Sequence, residues 1–270
     1  MNDQNLSSLQ NWNAFWDYHL GAWDGQWTRY KPSGELSESF LSNRSFESDQ
    51  EKKIINQFNQ YFYHDGEHEE KRWTYSFKDH CKNNGFMHPA SDYMRGLAFR
   101  DGSAAWLVLQ AKKEQYFPME LFLTNKNVRC SVGMLYGVDG ELQRTACIRE
   151  RRKDLDDSSW SNTSELVPAW ENRNQWHGIT QIIDTDLTRS SINTTFDMKQ
   201  QANEEEYFFP DNIVLRCPAR ITLHQKFTIT GIWLESKNQL KTIKAFYGND
   251  SKLIDVRFSI YNHNSFCTSA

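Results

Sequence analysis

Basic side chains that interrupt aromatic, strand-like stretches are the residues in this sequence best suited to chemistry. A guanidinium group inside an apolar barrel is costly unless an anion pairs with it, and arginine matches a carboxylate with two parallel hydrogen bonds. Such a residue would hold the acid group of a fatty acid or the propionates of a tetrapyrrole. The residues of this kind are Arg29, Arg44, Arg100, Arg129, Arg144 and Arg149 in the first half and Arg216, Arg220, Lys241, Lys244 and Arg257 in the second.

Strand alternation limits which of these residues can face a cavity, because successive residues point to opposite sides. A single arginine or lysine is more often exposed than buried. Arg29 and Arg144 are in phase with neighbouring apolar residues and are therefore the preferred pocket residues. With the aromatic residues of the same stretches, the predicted ligand-binding set is Arg29, Phe46, Trp73, Arg100, Arg144, Arg149, Arg216, Trp233, Lys244 and Tyr247.

Other kinds of site have little support in the sequence. Residues 64–70 contain histidine and carboxylate groups, but their high charge and Gly66 indicate a solvated loop rather than a metal site. The chain has no Gly-x-Ser-x-Gly motif and no glycine-rich phosphate loop. We therefore predict no catalytic residue, no metal and no cofactor other than a bound lipid or tetrapyrrole.

The composition favours a β protein with an aromatic interior. Rings make up 14% of the residues, with 10 Trp, so the apolar content suits strands and pocket walls better than a helical bundle. The net charge of −4 argues against a nucleic-acid partner. No stretch is long and apolar enough to predict a membrane span. The start of the chain lacks the features of a signal peptide, and the five scattered cysteines fit a cytoplasmic protein.

A Trp-x-Gly phrase occurs twice, about one domain length apart, as Trp23-Asp24-Gly25 and Trp176-His177-Gly178. Each copy opens a strand-like stretch. A tryptophan on the first strand of a small barrel plugs its closed end, and a glycine lets neighbouring chains approach closely. Trp23, Gly25, Trp176 and Gly178 are therefore predicted to be structural residues at the start of two barrels.

The elements around these residues follow from their spacing. Apolar residues three and four apart predict a helix that ends at a glycine, namely Leu9, Trp12, Trp16 and Leu20 before Gly21. The period then changes to two, and Asp101-Gly102 and Asp139-Gly140 predict hairpin turns. Residues 54–63 fit a helix or a strand, and their aromatic content favours a strand. About eight strands are expected before residue 150, enough for a small barrel.

The chain changes character once, between residues 151 and 166, where charged and then Ser/Asp/Asn-rich sequence carries no apolar period. We predict a barrel with an N-terminal helix over 1–152, a linker over 153–169 and a second, smaller barrel over 170–270. The fold class is all-β, with two consecutive antiparallel barrels and one short helix.

Two stretches resemble known families. The opening Asn11-Trp12, Phe15-Trp16, Gly21, Trp23-Asp24-Gly25 and Trp27-Thr28-Arg29-Tyr30, followed by Ser42-Asn43-Arg44-Ser45-Phe46, resembles an uncharacterised cyanobacterial family of the calycin (lipocalin and fatty-acid-binding-protein-like) superfamily. The resemblance covers nearly the whole chain and implies that residues 1–152 and 170–270 form two consecutive lipocalin-like antiparallel barrels.

The C-terminal half is more loosely similar to S-type phycobiliprotein bilin lyases. The similar residues are Phe209-Pro210-Asp211-Asn212-Ile213, Cys217-Pro218, Phe227, Gly231-Ile232-Trp233-Leu234 and Lys244-Ala245-Phe246-Tyr247. Those lyases carry arginines at the positions of Lys241 and Lys244 and an Asp at the position of Gly248. These departures weaken a transfer of lyase activity.

The predicted function is non-catalytic binding of an amphipathic or hydrophobic small molecule, of fatty-acid, tetrapyrrole or carotenoid type, in a barrel cavity. The alternative is a bilin lyase-like enzyme or chromophore chaperone that acts on a phycobiliprotein, which would need acidic groups inside a barrel. A third interpretation is a barrel filled by its own side chains that serves as a scaffold or homodimer partner.

Overall fold

The computed structural model describes residues 3–156, 159–170, 176–196 and 204–263, and the side chains from residue 6 onwards. Within these residues the chain forms eighteen strands and two helices, so the all-β prediction is confirmed. None of the described helices combines the length and the apolar character that crossing a membrane requires.

The first half of the chain contains both helices and eleven strands. Their bounds are α1 (Asp3–His19), β1 (Gly21–Tyr30), β2 (Leu36–Ser48), β3 (Ile54–Phe62), β4 (His68–Ser76), α2 (Phe77–His80), β5 (Cys81–Lys82), β6 (Gly85–His88), β7 (Ser91–Ala98), β8 (Ala104–Val108), β9 (Phe117–Asn125), β10 (Val128–Tyr136) and β11 (Leu142–Arg152). The ambiguous segment is a strand, as predicted, and the strand count exceeds the expected eight because short strands surround the loop that follows α2.

The second half contains seven strands. They are β12 (Trp176–Asp184), β13 (Arg189–Phe196), β14 (Glu204–Phe209), β15 (Ile213–Pro218), β16 (Phe227–Ser236), β17 (Gln239–Tyr247) and β18 (Leu253–His263).

The helix α1 forms where the sequence predicts it and closes one end of the first sheet. Its buried face carries Trp12, Phe15 and Trp16, and it packs against β5, β6 and β7. The helix stops because Gly21 turns the backbone into the left-handed region (φ +99°), which a residue with a side chain rarely adopts. The chain enters β1 at once.

The first sheet curls into a nearly closed barrel. Its eleven antiparallel strands lie in the order β4-β3-β2-β1-β11-β10-β9-β8-β7-β6-β5. The two ends of this order meet across a seam, where the rings of Trp73 and Tyr75 on β4 lie 5.4 and 5.7 Å from the ring of His88 on β6. Helix α2 connects β4, on one side of the seam, to β5 on the other.

The second sheet covers the outside of this barrel. Its order is β13-β12-β18-β17-β16-β15-β14, and among the described residues its edge strands β13 and β14 do not pair with each other. The large core lies between the sheets and joins outward residues of the barrel, such as Leu121 and Val132, to Ile229, Ile243 and Phe258. The predicted arrangement of two lipocalin-like barrels is therefore not confirmed: one sheet forms a nearly closed barrel and the other packs against it.

The segment between the sheets is held to the barrel. Trp160 donates from its indole nitrogen to the carbonyl oxygen of Glu150 at 3.1 Å, and Leu166 packs against the shared core. The division into residues 1–152, 153–169 and 170–270 remains a prediction. Cys81, Cys130, Cys147 and Cys217 are free thiols, and the fifth cysteine, Cys267, lies outside the described residues.

Candidate functional site

The interior of the first barrel contains a cavity of about 330 Å³. This size is at the lower end of the range for small-molecule sites, and the aromatic wall is typical of them. The exposed Ala90 and the half-buried Trp73 and Met94 line it near the seam, so the cavity opens there. The aromatic wall residues are Phe15, Trp27, Phe46, Tyr61, Trp73, Tyr75, Trp106 and Phe122.

A buried cluster of two arginines and one glutamate lies beside the cavity. Arg129 Nε donates to Glu150 Oε2 at 2.6 Å, and Arg44 Nη1 lies 3.4 Å from Glu150 Oε1. Arg129 and Glu150 are 1% exposed and Arg44 is 7% exposed. Burial alone would raise the pKa of Glu150, but the two guanidinium charges outweigh it and lower that pKa below its ordinary value. Glu150 is therefore ionised, and the three groups together carry a charge of +1.

Aromatic faces support both guanidinium groups. The guanidinium carbon of Arg129 lies 4.2 Å from the ring centroid of Trp23, and that of Arg44 lies 4.5 Å from the ring centroid of Trp27. Cations are attracted to these faces, and the attraction is stronger away from water. The tryptophans of β1 therefore help to keep two cations inside the barrel.

His19, at the end of α1, fixes the position of Arg129. Its Nε2 lies 2.9 Å from the carbonyl oxygen of Gly102 and its Nδ1 lies 2.6 Å from Arg129 Nη1. Because the guanidinium can only donate, Nδ1 must accept and the ring is neutral with its proton on Nε2. Burial and then the Arg129 charge lower the pKa of His19 well below its ordinary value, which agrees with a neutral ring.

Glu120 on β9 places a second carboxyl group in the cavity wall. Ser131 Oγ donates to its Oε1 at 2.6 Å. Burial raises the pKa of Glu120, and the charge of Arg44 and the Ser131 hydrogen bond oppose this only in part. The cavity thus has one carboxylate held ionised and one that protonates more readily than an exposed glutamate.

A chain of hydrogen bonds runs along the inward face of β3. Tyr75 Oη donates to Gln57 Oε1 at 2.9 Å, Gln57 Nε2 donates to Asn59 Oδ1 at 3.0 Å, and Asn59 Nδ2 donates to Tyr61 Oη at 2.8 Å. Every bond points the same way, so the hydroxyl hydrogen of Tyr61 is not used within the chain. It is a further donor in the cavity wall.

His88 completes the wall at the seam. Its Nδ1 accepts from the backbone N–H of Ala90 at 3.0 Å, so the neutral ring carries its proton on Nε2. Burial, with smaller contributions from His80 and Arg44, lowers the pKa of His88 to about 4. The ring is therefore neutral at physiological pH.

Several polar atoms of the wall residues lack partners within the described part of the chain. Trp27 Nε1, Arg44 Nε and Arg129 Nη2 have no hydrogen-bond acceptor there. A buried donor without a partner costs about 1–3 kcal/mol. These buried donors therefore have no acceptor among the described residues of the protein.

The predicted ligand-binding residues fall into several places. Phe46 and Trp73 line the cavity. Arg29 lies on the inward phase of β1 beyond Trp27 and pairs with Glu38 at 2.6 Å, and Arg144 on β11 is exposed near it. Among the described residues around the cavity, neither of these two arginines forms part of the wall.

The remaining predicted residues lie outside the barrel interior. Arg149 is 1% exposed and holds the connecting segment, with hydrogen bonds to Ser161, Thr163, Gln26 and Asp211. Arg100 is on the surface. The other four belong to the second sheet, where Trp233 and Tyr247 pack in the shared core. Arg216 and Lys244 lie on the opposite face of that sheet. Arg216 pairs with Glu206 at 2.5 Å, and Lys244 lies 4.9 Å from the ring centroid of Phe246.

The two Trp-x-Gly phrases occupy equivalent places on β1 and β12. Trp23 and Trp176 are each 2% exposed. A Cβ atom on Gly25 would lie 2.6 Å from Glu150 Cγ, and one on Gly178 would overlap the carbonyl group of Ile260 on β18. Both glycines therefore lie where a neighbouring strand leaves no room for a side chain.

These features define an all-β protein whose first barrel encloses a small aromatic cavity with buried arginines. Residues 8–155 match the family model described as the N-terminal domain of unknown function DUF3598. The match spans more than half of the chain, so the chain belongs to the DUF3598 family. No curated protein sequence shows significant similarity to it.

Two solved structures are similar to the chain. A DUF3598-family protein of unknown function from Nostoc punctiforme PCC 73102 is similar over 94% of this chain and 99% of its own, with a TM-score of 0.74 and 16% identity. At that identity the likeness shows the fold alone. An S-type phycobiliprotein lyase from Guillardia theta is similar over 58% of this chain and 100% of its own, with a TM-score of 0.36 and 10% identity. The assignment to the calycin superfamily is not confirmed.

Proposed function

We propose that the first barrel binds an amphipathic small molecule in its cavity, without catalysis. The observation that carries the proposal is the combination of an open, aromatic cavity of about 330 Å³ with buried guanidinium groups that retain unused N–H donors. An apolar molecule with one polar end would bury its body against the rings and satisfy those donors. The cavity supports this proposal over a barrel that is filled by its own side chains.

The test is a titration with 1-anilinonaphthalene-8-sulfonate, an aromatic anion whose fluorescence rises when it leaves water. The wild-type protein should bind one equivalent. Met94→Trp, which narrows the opening, should abolish this binding, whereas Leu41→Trp should leave it unchanged because Leu41 is 57% exposed on the outside of β2. Equal binding by all three proteins would mean that the probe binds elsewhere and would refute the proposal.

A second candidate function is a chromophore-handling enzyme of the bilin lyase type. It requires acid or base groups inside a barrel, and the carboxyl group of Glu120 in the cavity wall, with its raised pKa, meets that requirement. The test is incubation with a bilin and an apo-phycobiliprotein. A covalent, zinc-fluorescent product that is lost in Glu120→Gln would support this function, and the absence of any product from the wild-type protein would exclude it.

A further inference from the structure

We propose that the cavity ligand is a monocarboxylate of medium chain length, with its carboxylate group between the guanidinium groups of Arg44 and Arg129 and its chain directed towards the seam. This proposal rests on the proposed binding function and names the class of ligand. It follows from the charge of the buried cluster, from the donors around it and from the size and direction of the cavity.

The charge of the interior favours one negative charge on the ligand. Arg44, Arg129 and Glu150 sum to +1, and His19 is neutral because it accepts from Arg129. A single carboxylate on the ligand brings this charge to zero when Glu120 is protonated, which is the form that its burial in the wall favours. A ligand with two carboxylates would add an uncompensated charge in an apolar wall, and a neutral ligand would leave the excess cation unpaired.

The donors agree with an oxyanion at the closed end. Arg44 Nε and Arg129 Nη2 lack acceptors among the described residues, and both side chains are more than nine-tenths buried. The Tyr61 hydroxyl, at the end of the chain that starts at Tyr75, supplies one further donor. A carboxylate accepts several such bonds at once, and bonds to charged groups are the stronger ones.

The cavity sets the length and direction of the ligand. At about 30 Å³ for each water-sized group, a volume of about 330 Å³ accommodates on the order of ten such groups. This corresponds to an acid of medium chain length, whereas a tetrapyrrole or a carotenoid is several times larger and would place only one end in the cavity. The wall includes the rings of Trp106 and Trp73 and the side chain of Met94, against which an alkyl chain can pack.

The test compares decanoate, 1-decanol and decanedioate by calorimetry on the wild-type protein. Decanoate should bind at least about tenfold more tightly than either of the others, because hydrogen bonds to a charged group account for at least that factor. Equal affinities for decanoate and decanol would overturn the carboxylate inference while leaving the proposed binding function intact. Failure of all three ligands and of the fluorescent anion would refute the binding function itself.

Two variants test whether the carboxylate group of the ligand binds at Arg44. Arg44→Met should lower the affinity for decanoate at least about tenfold and leave that for decanol within about twofold. Arg72→Met is the matched control, because Arg72 is 69% exposed on the outer face of β4 and should change neither affinity. An unchanged decanoate-to-decanol ratio in Arg44→Met would overturn the inference. If that variant does not fold, the ratio of the decanoate affinity to the decanol affinity of the wild-type protein still tests whether the site binds a carboxylate.

Discussion

Replacing Glu150 by glutamine tests the physical basis of the site, because it removes a charge that both buried arginines contact directly. At an effective dielectric constant of about 20, the separations of 2.6 and 3.4 Å correspond to attractions of about 6 and about 5 kcal/mol. Desolvation of the carboxylate offsets several kcal/mol of this. We expect Glu150→Gln to lower the free energy of unfolding by about 3–5 kcal/mol, a large part of the stability of an ordinary domain.

The assay is urea unfolding followed by tryptophan fluorescence, with the midpoint and slope compared between variants. Glu35→Gln is the control. The ion pair between Glu35 and Lys31 is exposed, so the free energy of unfolding of this variant should equal that of the wild-type protein within experimental error. Decanoate should also stabilise Glu150→Gln more than it stabilises the wild-type protein, since the ligand replaces the lost charge. A loss of less than about 1 kcal/mol at an unchanged slope would refute the description of the cluster as two cations that depend on Glu150.

Three further predictions follow from individual groups. Decanoate affinity should rise as the pH falls through the raised pKa of Glu120, since protonation removes a like charge, and Glu120→Gln should abolish that dependence in calorimetry. Titration by NMR should give His88 a pKa of about 4. The free energy of unfolding should then fall as the pH drops from about 6.5 to 4, because over this range the unfolded state binds a proton that the folded state does not. A His88 pKa near 6.5 would contradict this. Gly25→Ala should cost about 1–3 kcal/mol by urea unfolding because of the contact with the strand beside it, whereas Gly133→Ala, with its nearest neighbour 3.6 Å away, should cost less; equal costs would contradict the steric explanation.

Local sequence signals were sufficient for the elements but not for how the sheets combine. Spacing located α1 and its glycine stop, and the Asp-Gly pairs located two hairpin turns, because these depend on backbone conformations that few residues adopt. The packing of the second sheet on the outside of the barrel was not predictable. Strands with alternating apolar and polar residues have the same sequence pattern whether their apolar face lines a barrel or packs on a neighbouring sheet.

The site shows the same limit. Arg44 and Arg129 were among the basic residues that interrupt apolar strands, but Arg29 and Arg144 were preferred on alternation alone. All four arginines occupy strand positions that face the inside of the barrel. They differ in how far along the strand they lie: Arg44 and Arg129 are buried, whereas Arg29 and Arg144 lie beyond Trp27. Depth depends on the pairing register and on the position of α1, neither of which one sequence reveals. Glu120 had no signal except its place in an otherwise apolar strand.

The contrast between the two interiors favours the first barrel as the place of function. The core between the sheets is almost entirely apolar, and its lysine, Lys241, is fully paired, with Glu235 at 2.7 Å and the carbonyl oxygen of Thr124 at 2.6 Å. The barrel interior instead holds two arginines, two carboxyl groups and unused donors around an open volume. Apolar residues of similar size would stabilise a barrel equally well or better. Under the proposed function, a bound carboxylate would accept from the arginine donors that have no partner among the described residues, and this would give the polar residues of the interior a physical reason.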